Sequence, residues 1–214
     1  MEVILKYAYL STVALLIVYS LINFRKIKEG GGGYLVLALV LSLLVDLIGN
    51  SARKNFNFIW GYNVFTILIF PIYFALLKPR LPERIRPFIT YLIVGFLVFG
   101  TANFLFFQGM RSFNNYTLLL GAFLLILLSL LYFKSRFDNP HENLLQSWTF
   151  WVATGMLLYF TGTLFYFGFI PRFSALDRQW RIYFYGMLQV MNIVMYIMFG
   201  IALVCLNRRQ TLSQ

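Results

Sequence analysis

The chain alternates long apolar stretches with short polar breaks, seven times along its 214 residues. A helix needs about 20 mostly apolar residues to cross a bilayer. The stretches that meet this need are Lys6–Phe24, Tyr34–Gly49, Ile59–Leu77, Pro87–Phe107, Tyr116–Phe133, Trp148–Ile170 and Ile182–Leu206. The second is short and must extend at one end or stand nearly upright. The breaks are polar. Phe24 to Gly33 carries Arg25, Lys26 and Lys28, then four consecutive glycines read as a flexible turn. No Lys-Ser/Thr pair follows them, so they do not form a phosphate loop. Lys78–Arg86 is rich in Pro and Arg, and Asp138-Asn139-Pro140 signals a turn. No break is long enough to fold alone. The expectation is an all-α polytopic membrane protein, a seven-transmembrane-helix bundle forming one domain over residues 1–214.

Composition supports the membrane reading. Hydrophobic residues make up 60% and charged residues 12%, against about 25% charged in soluble proteins. One soluble core could not hide that much apolar surface. The net charge of +11 fits either a nucleic-acid binder or a membrane protein with basic loops. The charges sit between spans and not on a continuous face, so the expected partner is the lipid bilayer, not nucleic acid. Cys205 is the single cysteine, which leaves no disulfide within the chain. The first apolar run lacks a basic leader and a small-residue cleavage site, and is read as a span.

Lys and Arg set the expected orientation. Arg25, Lys26, Lys28, Lys78, Arg80, Arg84, Arg86, Lys134, Arg136, Arg208 and Arg209 fall on one side. Lys6, Arg53, Lys54, Arg111, Arg172, Arg178 and Arg181 fall on the other. The richer side is expected in the cytoplasm. That puts the N-terminus outside and the C-terminus inside, in the cytoplasmic (inner) membrane. One internal similarity stands out: Asn63–Arg80 lies on Asn192–Arg209 without a gap, pairing Asn63 with Asn192 and Phe70 with Phe199. It places the third and seventh spans in equivalent positions and leaves open a 3+1+3 pseudo-repeat.

Polar side chains inside the spans are costly, and they tend to face the bundle interior or a cavity. Asp46 is the only acidic residue well inside a span, about 6 Å from its outer end. Ser42, Asp46 and Asn50 recur every four residues on one face. Tyr185, Gln189, Asn192 and Tyr196 share a face of the seventh span, with Arg181 one turn before them. The sixth span aligns Tyr159, Thr163 and Tyr166. Asn63 and Thr66 in the third span and Asn103 in the fourth complete the set. The candidate ligand-binding residues are therefore Asp46, Asn50, Asn63, Asn103, Tyr159, Thr163, Tyr166, Arg181, Tyr185, Gln189 and Asn192. Asp46 is expected to face Arg181 or to bind a cation or an amine. For Asn63, Asn192 and the Thr residues, interhelical hydrogen bonding competes with ligand binding and is the favoured role.

Candidate chemistry is sparse. His141, the only histidine, falls in a loop beside Glu142. One His and one Cys cannot build a zinc site of such ligands, and no Ser-His-Asp set assembles. No span holds an interior Lys, which excludes a retinal Schiff base. No cofactor, metal or catalytic residue is expected, and a lipid-modifying enzyme would need clustered carboxylates or histidines near an interface. Asn115-Tyr116-Thr117 matches a glycosylation pattern but sits at the membrane edge and is treated as chance. Trp60, Trp148, Trp151 and Trp180 sit near span ends as interface anchors.

Three segments carry a resemblance. They are Ser147-Trp148-Thr149-Phe150-Trp151-Val152-Ala153-Thr154-Gly155-Met156-Leu157-Leu158-Tyr159-Phe160-Thr161-Gly162, then Gln189-Val190-Met191-Asn192-Ile193, and Asn63 near the start of the third span. Together they resemble small bacterial seven-helix integral membrane proteins, often companions of sensor histidine kinases. The resemblance implies a sensory or accessory role and carries over no catalytic residue. The functional expectation is a receptor-like module. It recognises a small ligand in an outward-facing polar cavity and acts through a signalling partner at the cytoplasmic face. The alternative is a small-solute transporter of 3+1+3 architecture. The Lys78–Arg86 loop is a candidate partner or lipid contact, although ordinary positive-inside charge is the favoured account of it.

Overall fold

The computed structural model describes residues 2–52, 58–138, 143–169, 172 and 177–212. Arg53, Lys54, the Asn139-Pro140 turn, His141 and Glu142 lie outside the described residues. Eight α-helices form among the described residues: α1 (Glu2–Ile22), α2 (Phe24–Glu29), α3 (Gly33–Ala52), α4 (Ile59–Leu77), α5 (Arg86–Ala102), α6 (Asn115–Phe137), α7 (Trp148–Phe169) and α8 (Arg178–Leu212). A π-helical stretch, Asn103–Phe107, continues α5. There is no strand among the described residues. All but α2 are long and apolar enough to cross a membrane, as the spacing predicts. Leu15, Ile22, Phe88, Tyr91, Phe106, Phe107, Phe123 and Phe165 stand exposed on their outer faces. Lipid tails solvate such a surface, and water does not. The chain is an integral membrane protein.

The short second span resolves by extension. α3 reaches Ala52 and has 20 residues, about 30 Å at 1.5 Å per residue. The glycine run departs from its expected flexibility. Arg25–Glu29 coil into α2, whose Ile27 is fully buried. Gly31 takes φ +85, a left-handed turn that glycine adopts at little cost. A Cβ on Gly30 would stand 2.7 Å from Leu206 of α8, and one on Gly32 2.8 Å from the same side chain. Gly30 and Gly32 are there for close packing against α8.

The helices form a closed ring. α1 packs on α3, α3 on α4, α4 on α6, α6 on α7, α7 on α8, and α8 back on α1. α5 stands outside the ring against α4 and α6. Because each span reverses direction, ring neighbours run antiparallel except at two seams, α4 with α6 and α8 with α1. Two antiparallel triplets thus meet at two parallel seams, linked by α5, which is the layout a 3+1+3 arrangement requires. Small residues let the backbones close in. A Cβ on Gly155 of α7 would meet Met198 at 3.0 Å, and one on Gly121 of α6 would meet the Phe70 ring at 2.6 Å.

One half of the ring is filled with aromatic side chains. The Phe70 ring centroid lies 5.5 Å from those of both Phe96 and Phe160. Tyr73 packs edge-on to Phe160 at 6.5 Å and to Phe199 at 6.3 Å. All are nearly or fully buried. This cluster ties α4 to α5, α7 and α8 across the middle of the bundle.

Candidate functional site

α1 and α3 lie side by side and antiparallel, so their polar faces meet as rungs. Lys6 Nζ donates to Asn50 Oδ1, and one turn deeper the Tyr9 hydroxyl donates to Asp46 Oδ2. Deeper again, Tyr196 of α8 adjoins Ser42 and Tyr9, its ring centroid 5.5 Å from that of Tyr9. Across the space, Tyr159 of α7 adjoins Asn192 of α8. Tyr62 of α4 lies over Gly49, where an added Cβ would stand 2.2 Å from the Tyr62 hydroxyl. Glycine is what allows that ring to cross α3.

These side chains enclose a cavity of about 480 Å³, to which every helix of the ring contributes. It lies on the N-terminal side of the bundle: it draws on the first halves of α1, α4 and α6, the early turns of α8, and the second halves of α3 and α7. Lys6, Asn50 and Ile59 at the rim are half-buried. Phe70, Tyr73 and Phe160 form its floor and belong to the aromatic cluster. Among the described residues of its lining, Lys6 and Asp46 are the ones that carry a Lys, Arg, Asp or Glu side chain. Gln189 projects from α8 into the wall, 8% exposed, and its Oε1 has no hydrogen-bond partner among the described residues. A buried amide oxygen without a partner costs about 1–3 kcal/mol, a cost that a bound donor removes.

The structure gathers Asp46, Asn50, Tyr159, Tyr166, Tyr185, Gln189 and Asn192 around this cavity, with Thr66 beside them. Four of the expected residues stand elsewhere. Asn63 is fully buried; its Nδ2 donates to the Ser112 carbonyl at 2.8 Å and its Oδ1 accepts from the Asn114 N–H at 2.8 Å. Both ends of its amide are used to anchor the chain before α6. Asn103 donates to Gln108 at 2.9 Å, to Thr117 at 3.1 Å and to Asn114, closing the turn between α5 and α6. Thr163 returns its hydroxyl to the Tyr159 carbonyl at 2.6 Å. Arg181 shares the helical face of Tyr185 but sits above the rim, exposed. It does not face Asp46, and a long cationic side chain there reaches water instead.

Lys6 and Tyr9 belong to the site although the sequence reading passed over them. Their signal was an i, i+3 face on the first span, opposite Asn50 and Asp46 in an antiparallel pair. No group of three or more His, Cys, Asp or Glu residues that could hold a metal occurs among the described residues. Comparison with protein-family models, curated proteins and solved structures returned no match.

Proposed function

We propose that this chain is a receptor-like membrane module that binds a small molecule in the cavity on its N-terminal side and acts through a partner protein. The carrying observation is the asymmetry of the ring. Its N-terminal half holds a polar, partly open cavity of about 480 Å³, within the range of small-molecule sites, and its middle is closed by packed aromatic rings. Such a site is reached from one face and blocked from the other, as a receptor requires. The excess of Lys and Arg on the C-terminal side supports an N-outside orientation in a cytoplasmic membrane, bacterial by the sequence resemblance. Ligand entry would then be extracellular and the partner cytoplasmic. On the partner's side Arg80 stacks over Trp148 at 5.6 Å and Lys78 donates to Thr90 at 2.7 Å, which makes Arg84 the freer contact of that loop.

A second reading is a small-solute transporter, favoured by the two triplets meeting at parallel seams. Reconstitution into sealed vesicles separates the two. A receptor binds its solute saturably with no uptake beyond that of empty vesicles. Saturable uptake that is lost in Asp46→Asn would replace the receptor reading with the transporter one.

A further inference from the structure

We infer that the cavity selects an aromatic molecule carrying an N–H or O–H donor, with the donor directed at Gln189 and the ring held between Tyr and Phe side chains; this rests on reading the cavity as a ligand site. Gln189 is the anchor. It is 8% exposed and lines the cavity, and its Oε1 accepts no hydrogen bond from any described residue. An amide oxygen accepts and cannot donate, so the group that satisfies it has to be a donor. The terminal torsion of a glutamine is soft, and the amide can swing its oxygen toward that donor. Because the oxygen is already removed from water, a donor that reaches it gains more than the net value of an ordinary hydrogen bond.

The walls beside Gln189 choose the body of the ligand. Nearly half of the lining residues are Phe or Tyr, against 20% aromatic residues in the whole chain. On α8, Tyr185 precedes Gln189 by one turn and Tyr196 follows it by two, on the same face. On the neighbouring α7, the Phe167 ring centroid lies 6.2 Å from that of Tyr159 and 5.8 Å from that of Tyr166. All five rings line the cavity, so both helices present aromatic side chains around the amide. A flat ring stacks on such faces or meets their edges, and gains beyond the area it buries. A saturated body of the same size forgoes that gain. Neither contact depends on the ionisation of Asp46 or Lys6, or on a charge carried by the ligand.

The test measures the binding of four probes to the full chain in nanodiscs by isothermal titration calorimetry, with protein-free nanodiscs as the reference for partition into lipid. Indole and benzofuran share one shape and differ in the N–H. Phenol and cyclohexanol share the O–H and differ in aromaticity. Indole is expected to bind more tightly than benzofuran, and phenol more tightly than cyclohexanol. Gln189→Met keeps the bulk and removes the acceptor, and should cut the preference for indole about tenfold. Comparing that preference between the two chains cancels both lipid partition and the water lost by the N–H. Benzofuran binding the native chain as tightly as indole overturns the inference, and that comparison needs no variant to fold. So does an indole preference that survives Gln189→Met, cyclohexanol binding as tightly as phenol, or no saturable binding by any probe. The ligand-site reading is judged separately, by thiol labelling of Asn192→Cys, which needs no ligand.

Discussion

Asn63 and Asn192 occupy matching places in the two aligned segments, yet the structure gives them different work, and replacing each with alanine exposes the difference. In Asn63→Ala the Asn114 N–H loses its acceptor. Asn114 is 1% exposed, so water does not replace the lost bond, and an unsatisfied buried donor costs about 1–3 kcal/mol. The Ser112 carbonyl loses its donor as well. Ser112 is exposed, water substitutes there, and the loss is nearer the net value of a hydrogen bond, about 0.5–1.5 kcal/mol. The expected destabilisation is about 2–4 kcal/mol, or roughly 5–10 °C in melting temperature for a chain of this size. Asn192 lines the cavity and is only half-buried, and Asn192→Ala is expected within about 1 kcal/mol of the native chain. Thermal unfolding in detergent, followed by tryptophan fluorescence, reads both. Equal stability of the two variants would refute the assignment of Asn63 to structure and Asn192 to the site.

Three further outcomes are expected. Gly121→Ala drives a methyl into the buried Phe70 ring, which Phe96 and Phe160 pin; it should cost about 1–3 kcal/mol on the same unfolding assay, and a neutral result means the ring can move. Tyr9→Phe and Asp46→Asn share one hydrogen bond, so a double-mutant cycle on stability should show them non-additive by about 1 kcal/mol or more; strict additivity removes that bond from the account. Gly32→Val crowds Ile27 and Leu206 and should lower the melting temperature while leaving ligand affinity at the distant cavity unchanged, a pair of readings that calorimetry and melting check together.

The spans were legible because about 20 apolar residues in a row leave few alternatives. The polar faces of α3 and α8 were legible for the same reason that amphipathic helices are: Asp46 with Asn50, and Gln189 with Asn192, keep a constant helical spacing. Spacing alone could not say which helix a face meets. Asn63 carries the same side chain as Asn192, and only the loop folding back over α4 turns it into a backbone anchor. Arg181 obeys the spacing of its face but overshoots the rim by one turn. Lys6 counted only as a charge at the outer end of the first span until the register of α1 against α3 set it beside Asn50. The glycine run read as slack because composition does not show that Leu206 packs into it from the far end of the chain.

The central claim is a cavity entered from the N-terminal face and closed toward the C-terminal face. Single cysteines placed in a Cys205→Ser background, reacted with a membrane-impermeant maleimide from each side of sealed vesicles, test it directly. Asn192→Cys in the cavity wall is expected to label from the N-terminal side alone, and Ala202→Cys, fully buried beyond the floor, from neither. Labelling of Asn192→Cys from the C-terminal side, or none from the N-terminal side, would contradict it.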